Sequence, residues 1–281
     1  MSTDPTPPAE SGRTPTPVKS ADRVLLVLES LGSRRDRPTL TMLSEELGIP
    51  LSSLHGLLRT MQNRGWVETD ETGSRYSIGV RALLIGSAYA REDEAVVAAR
   101  AVMDWLSDET GETVHYGRLE GSDVVYLAKR ESKFAVRVHS SIGQRIPAHA
   151  ASLGKAILAE QPGDFAVKTL TWPLVSLTPH TIVEREALFA DLARSRERGY
   201  AAEREESDTG LGCVAVTVAG TAHLDALSFA VPVARLEEGR VEELAGLLLE
   251  AKAVLAGTAT PRGARSPEFL GNLTALNDKR E

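Results

Sequence analysis

Residues 43–68, LSEELGIPLSSLHGLLRTMQNRGWVE, decide the fold of the first part of this 281-residue chain. Leu54, Leu57, Leu58 and Met61 follow the i, i+3, i+4, i+7 spacing of a helix with one buried face. Gly65 ends that helix. The tight Gly48-Ile49-Pro50 connection separates it from a shorter helix with Met42, Leu43 and Leu47, for which Thr41 is the expected cap. Upstream, Val24, Leu25, Val27, Leu28 and Leu31 make one stripe behind a Ser20 cap. Downstream, WVETD and RYSIG flank Glu71-Thr72-Gly73-Ser74, the pattern of a two-stranded hairpin. Three short helices and a hairpin in about 60 residues predict a winged helix-turn-helix.

The second helix of such a motif presents its exposed face to the DNA major groove, where base edges are distinguishable. Opposite the Leu stripe stand Ser52, Ser53, His55 and Arg59, with Gln62 beyond them. Hydroxyls and the helix start suit phosphates, and Arg59 suits phosphate or guanine. Arg75 in the wing, with Lys19 or Arg23 in the first helix, adds candidate backbone contacts. The alternative is a winged-helix protein-interaction or dimerisation module without specific DNA binding.

From Val80 to about Gly111 the pattern is helical, and its first part reads as a linker whose apolar, Ala-rich surface pairs two chains. Beyond it ETVHYGRLE, DVVYLAKRE and KFAVRVHS read as strands, and residues 153–159 as a helix. Thr181 and Glu184 have the spacing of a capping box for another helix. CVAVTVAG and LDALSFAVPV are further strands, and a last helix buries Val241, Leu244, Leu247, Leu248, Ala251, Val254 and Leu255. This mixture predicts an α+β sensor domain. Alternation in CVAVTV sets Cys213, Ala215 and Thr217 against Val214, Val216 and Val218. In LDALSFAV, Ala226, Ser228 and Ala230 oppose Leu227, Phe229 and Val231. The bulky faces belong in a core. The small faces leave room either for a ligand or for a closely packed helix.

Composition narrows the function. The one cysteine, Cys213, excludes an intrachain disulfide framework and paired CxxC zinc sites. The histidines (55, 115, 139, 149, 180, 223) lack metal spacing, so no metal or cofactor is expected. Cys213 with His149 is the only candidate nucleophile pair, but a cysteine inside an apolar strand is an inert small hydrophobe, so no enzyme is expected. No apolar run nears the roughly 20 residues of a membrane helix, and the first residues lack an export signal, which points to the cytoplasm. Net charge is −7, from 32 Lys+Arg and 39 Asp+Glu. Residues 1–92 hold 11 basic and 11 acidic side chains, so the deficit lies wholly beyond them and does not weigh against a DNA-reading head. Residues 1–17, with five of the 14 prolines, read as a disordered arm, and 257–281 as a flexible tail.

Six segments taken in order resemble the IclR family of bacterial transcriptional regulators. They are VKSADRVLLVLESLG, the helix-turn-helix quoted above, RYSIGVRALLIG, IGQRIPAHAASLGKAILA, LTPHTIVEREALFADLARSRERGYAAEREE and GLGCVAVTV. The resemblance implies a winged helix-turn-helix over 18–80, a linker helix over 81–92 and a GAF-like effector-binding domain over 93–256. It further implies a homodimer or homotetramer on a pseudo-palindromic double-stranded DNA operator, answering to a small-molecule effector. It carries pocket roles to Ala135, Ser152, Glu203, Leu211, Cys213, Ser228 and Ala230. Two departures stand out. The family's recognition helix often reads P-K-S-T-V-H-R-L-L, whereas this one has Leu51 and Gly56 at the two basic positions. Around the cysteine, Glu203 replaces the usual Asp or Ser and Ala219-Gly220 the usual Phe-Asp, while the spacing from Glu206 to Cys213 is kept. The helix start near Ser152, the Ser152 and Ser228 hydroxyls and Arg137, which shares strand parity with Ala135, suit a small organic acid. Glu203 opposes it unless protonated or bridged.

Overall fold

A computed structural model describes residues 18–34 and 36–259. The arm over 1–17 and the tail from residue 260 lie outside the described residues. The chain divides into two compact units, the first ending at Ser87 and the second starting at Ala88.

The first unit holds α1 (Lys19–Ser33), α2 (Leu40–Leu47), α3 (Leu51–Asn63), β1 (Val67–Thr69) and β2 (Tyr76–Ile78), then most of α4 (Val80–Glu92). Its core is Val27, Leu31, Leu43, Ile49, Leu54, Leu58, Met61, Val67 and Tyr76. Gly48 makes the α2–α3 turn possible: it sits at φ 61°, the left-handed region, and its N–H donates to the Ser44 carbonyl. Two helix starts differ from expectation. Helix α1 follows Val18, leaving Ser20 inside it. Thr39, not Thr41, caps α2, accepting from the Met42 N–H at 3.3 Å. A bridge between Thr39 and Arg75 holds the chain extended up to Thr39, so the helix begins directly after it. The α1 stripe is also narrower than expected, because Leu25 is exposed. At the wing tip the Asp70 carboxylate accepts from the Ser74 and Arg75 N–H groups, closing the expected hairpin.

The helical run expected over 80–111 is two helices. Asp93 breaks it, capping α5 (Glu94–Thr110) through the Val96 N–H at 3.0 Å. Strands β3 (Thr113–Glu120), β4 (Asp123–Arg130), β5 (Arg145–Pro147), β6 (Ala201–Arg204), β7 (Leu211–Val218) and β8 (Asp225–Pro232) form an antiparallel sheet in the order β5-β4-β3-β8-β7-β6. Its helices are α5, α6 (Ser152–Glu160), α7 (Phe165–Thr169), α8 (Arg185–Arg198) and α9 (Arg240–Leu255).

The alternation read from the sequence divides the sheet as expected. Val214, Val216, Leu227, Phe229 and Val231 pack with Val114, Tyr116 and the apolar sides of α5 and α9. Burial of each such side chain contributes about 1.5–3 kcal/mol. On the other face, Ala215 and Ala226 are covered by Ala156 and Ile157 of α6 and Leu188 and Leu192 of α8. A helix therefore does pack on the middle of the small face.

Two expectations fail here. KFAVRVHS is not a strand: 131–144 is an irregular loop, with Ala135 and Arg137 exposed. The outer edge of β4 is already paired with β5. The loop instead fastens to Gly111, whose carbonyl accepts from the Lys133 N–H at 2.8 Å and the Ser132 hydroxyl at 2.9 Å. Thr181 forms no capping box. Its hydroxyl donates to the Glu206 carbonyl and accepts from the Leu177 and Thr178 N–H groups, and α8 starts after Glu184. No helix among the described residues is long and apolar enough to cross a membrane.

Candidate functional site

Ser52, Ser53, His55 and Arg59 stand exposed on α3, opposite buried Leu54, Leu58 and Met61. Gln62 is tied to the wing, its Nε2 donating to Thr69 Oγ1 at 3.1 Å. Arg75 is exposed but braces the wing root, donating from Nη1 to the Arg37 carbonyl at 2.9 Å. A Cβ added at Gly56 meets nothing within 4 Å, and Leu51 is 48% exposed. A long basic side chain fits at either place without repacking the core.

In the second unit, register brings the other candidates together. Glu203 faces Cys213 across β6 and β7, Cys213 faces Ala230 across β7 and β8, and Ala230 faces Thr113 across β8 and β3. One step along the strands, Ser228 faces His115, and His115 faces Lys129. Leu211 shares the parity of Cys213 two residues away. The Cys213 thiol lies near Glu203, its partner across β6 and β7, and near Ser152, the first residue of α6. Ser152, Glu203, Leu211, Cys213, Ser228 and Ala230 thus share one end of the sheet face. Ala135 does not join them. Arg137 is 56% exposed, 3.6 Å from Glu131, and points to no anion site on this face.

Burial shapes the electrostatics of this end. It pushes the Glu203 carboxyl up, although Glu203 Oε2 accepts the Glu206 N–H at 2.8 Å and Oε1 the Ser207 hydroxyl at 3.1 Å. Burial, with Glu203 beside it, also pushes the Cys213 thiol well up. A thiol so held is a poor nucleophile. His149 is engaged elsewhere, its Nε2 paired with the Val175 carbonyl at 2.9 Å. Glu206 acts structurally: with Asp191 it neutralises fully buried Lys155. Among the described residues no cluster of His, Cys, Asp and Glu could hold a metal ion.

Sequence reading missed the neighbours of this group on β3 and β4. His115 stacks on Tyr126 with ring centroids 4.3 Å apart, and its Nε2 pairs with Ser140 Oγ at 2.7 Å. Lys129 Nζ donates to the Ser140 carbonyl at 2.9 Å, so both side chains pin the 131–144 loop. Alternation in TVHYGR, which sets Thr113, His115 and Gly117 apart from Val114, Tyr116 and Arg118, was the available signal. Burial, with Lys129 nearby, pushes the His115 imidazole down from 6.5 to about 3. The fold therefore holds His115 neutral, while the unfolded chain protonates it near 6.5. With the folded value lower, this contribution is complete above pH 6.5 and drains away as pH falls toward 3. The expected loss is about 1.4 kcal/mol per pH unit in that window. His115→Gln should flatten this part of the pH dependence of the urea midpoint. An unchanged slope in the variant would assign the acid lability to carboxylates instead.

A second buried cluster lies on the face covered by α5 and α9. Arg118, 5% exposed, donates from Nε to Asp225 Oδ1 at 2.6 Å and from Nη2 to Oδ2 at 2.8 Å. Its Nη1 reaches Asp93 Oδ2 at 2.5 Å and the Tyr89 hydroxyl at 2.6 Å, and Tyr116 donates to Asp225 at 2.7 Å. Burial pushes the Asp93 carboxyl up, but the Arg118 and Val96 hydrogen bonds outweigh it and hold the group below its ordinary value. The last turn of α4 and the start of α5 are thereby fixed to β3 and β8.

Comparison with known proteins completes the site's context. The IclR helix-turn-helix domain matches residues 20–71, and the bacterial transcriptional regulator IclR C-terminal domain matches residues 87–255. The transcriptional repressor IclR of Escherichia coli K12 is 31% identical over 258 residues, 87% of this chain and 94% of its own. The regulator XynR of the same organism is 34% identical over 203 residues, 72% of this chain and 80% of its own. The crystal structure of an IclR regulator from Alicyclobacillus acidocaldarius has a TM-score of 0.75 at 27% identity, covering 87% of this chain and all of that one (100%). An IclR homologue from Microbacterium hydrocarbonoxydans, solved in complex with 4-hydroxybenzoate, has the same fold, with a TM-score of 0.68 at 24% identity over 85% of this chain and 99% of its own. Both halves match in the same order, and the chain belongs to the IclR family of DNA-binding bacterial transcriptional regulators, which are not enzymes.

Proposed function

We propose that two copies pair through α4, set their α3 helices into successive major grooves of a pseudo-palindromic operator, and change their hold on it when a small organic acid occupies the closed end of the sheet face. The domain limits are those expected from the sequence, with the head over 18–80, the linker over 81–92 and the sensor over 93–256. The observation that carries the reading is the polar α3 face, with Ser52, Ser53, His55 and Arg59 outward, and Arg75 exposed in the wing. Pairing is supported by α4, which buries no residue of its own while Val80, Leu83, Leu84 and Ile85 stand exposed. An electrically neutral head also needs two modules acting together.

The acid is supported by the start of α6, which has no side-chain cap and follows Ala151, leaving backbone N–H groups for a carboxylate next to Ser152. The relative solved with 4-hydroxybenzoate supports the same class. Footprinting of the chain's own upstream DNA, with and without benzoate and short aliphatic acids, tests the reading. Protection that an acid strengthens or releases supports it, and no protection even at low salt overturns it.

Gly56→Arg bears on the DNA half alone. Each added phosphate contact should steepen the slope of log K against log[salt] by about 0.9, widening the affinity ratio between 50 and 200 mM salt by about threefold. Replacing Gly also adds up to about 1 kcal/mol of helix propensity. Anisotropy titrations at several salt concentrations measure the slope. An unchanged slope would place residue 56 away from the backbone.

A further inference from the structure

We propose that the effector is a hydroxylated carboxylic acid whose hydroxyl is read by Thr113 and His115. This rests on the organic-acid reading above and makes it more specific. Thr113 Oγ1 and His115 Nδ1 are both buried and have no hydrogen-bond partner. Thr113 is 0% exposed and His115 1%. A buried polar group left unpaired costs about 1–3 kcal/mol, so two of them side by side call for an occupant that pairs with them.

Their placement says where it lies. They are two residues apart on β3 and point to the same face, their Cα atoms about 7 Å apart along the strand. The residues opposite them on β8 are Ala230 and Ser228, both small and both buried. Cys213 is the next neighbour of Ala230, and Ser152 at the start of α6 lies near its thiol. A ligand with its carboxylate at the start of α6 therefore presents its far end to Thr113 and His115.

The chemistry of that end follows from the two atoms. Because Nε2 is shared with the Ser140 hydroxyl, Nδ1 is an acceptor in one tautomer and a donor in the other. Thr113 likewise donates or accepts. A ligand hydroxyl matches both tautomers, whereas a carbonyl or an ammonium matches one. A second carboxylate is disfavoured, since His115 is neutral and Lys129 is already engaged by the Ser140 carbonyl and Glu131. Both atoms are sealed from solvent, so entry requires the 131–144 loop, pinned at Ser140, to lift.

Calorimetric titration of the full chain with benzoate, its three monohydroxylated isomers, propionate and lactate tests the proposal. At least one hydroxylated acid is expected to bind wild type tenfold or more tightly than its parent. Thr113→Val should keep the parent's affinity and abolish most of that gain, without lowering the melting temperature of the ligand-free protein. Binding of the parents with no gain from any hydroxyl overturns the proposal and leaves the organic-acid reading standing. So does a gain that survives in both Thr113→Val and His115→Phe. If none of the six acids binds wild type, the organic-acid reading fails and takes the proposal with it.

Discussion

Arg118→Ala is expected to lower the unfolding free energy of the second unit by about 3–5 kcal/mol, because it strands two carboxylates that the fold removes from water. Asp225 is fully buried and keeps only the Tyr116 hydroxyl, while Asp93 keeps its cap on α5 but loses its counter-charge. Arg118→Lys should recover part of the loss. An ammonium restores charge but cannot serve Asp225 through two parallel bonds and Asp93 at the same time. Urea unfolding followed by far-UV circular dichroism measures both variants. A loss below about 1 kcal/mol for Arg118→Ala would mean that water reaches the carboxylates and that the cluster is worth no more than a surface pair. The acid limb gives a second check. The folded Asp93 value is depressed, so its contribution is present above the ordinary 3.8 and is lost as pH falls through the lower folded value. Arg118→Ala should weaken that dependence.

The second large effect concerns pairing. Leu84→Glu on α4 should yield a folded monomer whose operator affinity is about 10²–10⁴-fold lower, the range in which linking two modules raises binding over either alone. Leu84 is 62% exposed and packs in no core, so stability should change by less than about 0.5 kcal/mol. Sedimentation velocity gives the assembly state, and anisotropy at one fixed salt concentration gives the affinity. A dimer that persists would move the pairing surface off this stripe. A monomer with undiminished affinity would show that one head suffices.

The two halves were legible to different degrees, for a physical reason. In the head the buried stripe of α3 repeats within one helix, so Leu54, Leu58 and Met61 identify themselves by spacing alone. The hairpin is equally local, because Asp70 through Arg75 close their own turn. The misread caps, Ser20, Thr41 and Thr181, depend on what the flanking chain is bonded to, as the Thr39–Arg75 bridge shows. In the sheet domain, alternation separated the small and bulky faces of β7 and β8 correctly. It also made a strand of 133–140, because periodicity does not reveal whether a sheet edge is still open.

By itself the sequence determined the element types of the head, the buried stripes, the head's balance of 11 acidic and 11 basic residues over 1–92, and the absence of a disulfide framework. Each depends on residues close in the chain or on composition. Tertiary structure decided which side chains meet. Thr113 joins Ala230, Cys213 and Glu203 in one row only because β3, β8, β7 and β6 are neighbours in that register. Arg118 finds Asp225 at a separation of 107 residues. Arg137 and Ala135, alike in parity on paper, fall outside the row because their segment has no strand to pair with. Pairing across a sheet is a long-range choice, made by burial and hydrogen bonding over the whole domain, and local sequence carries only its alternation.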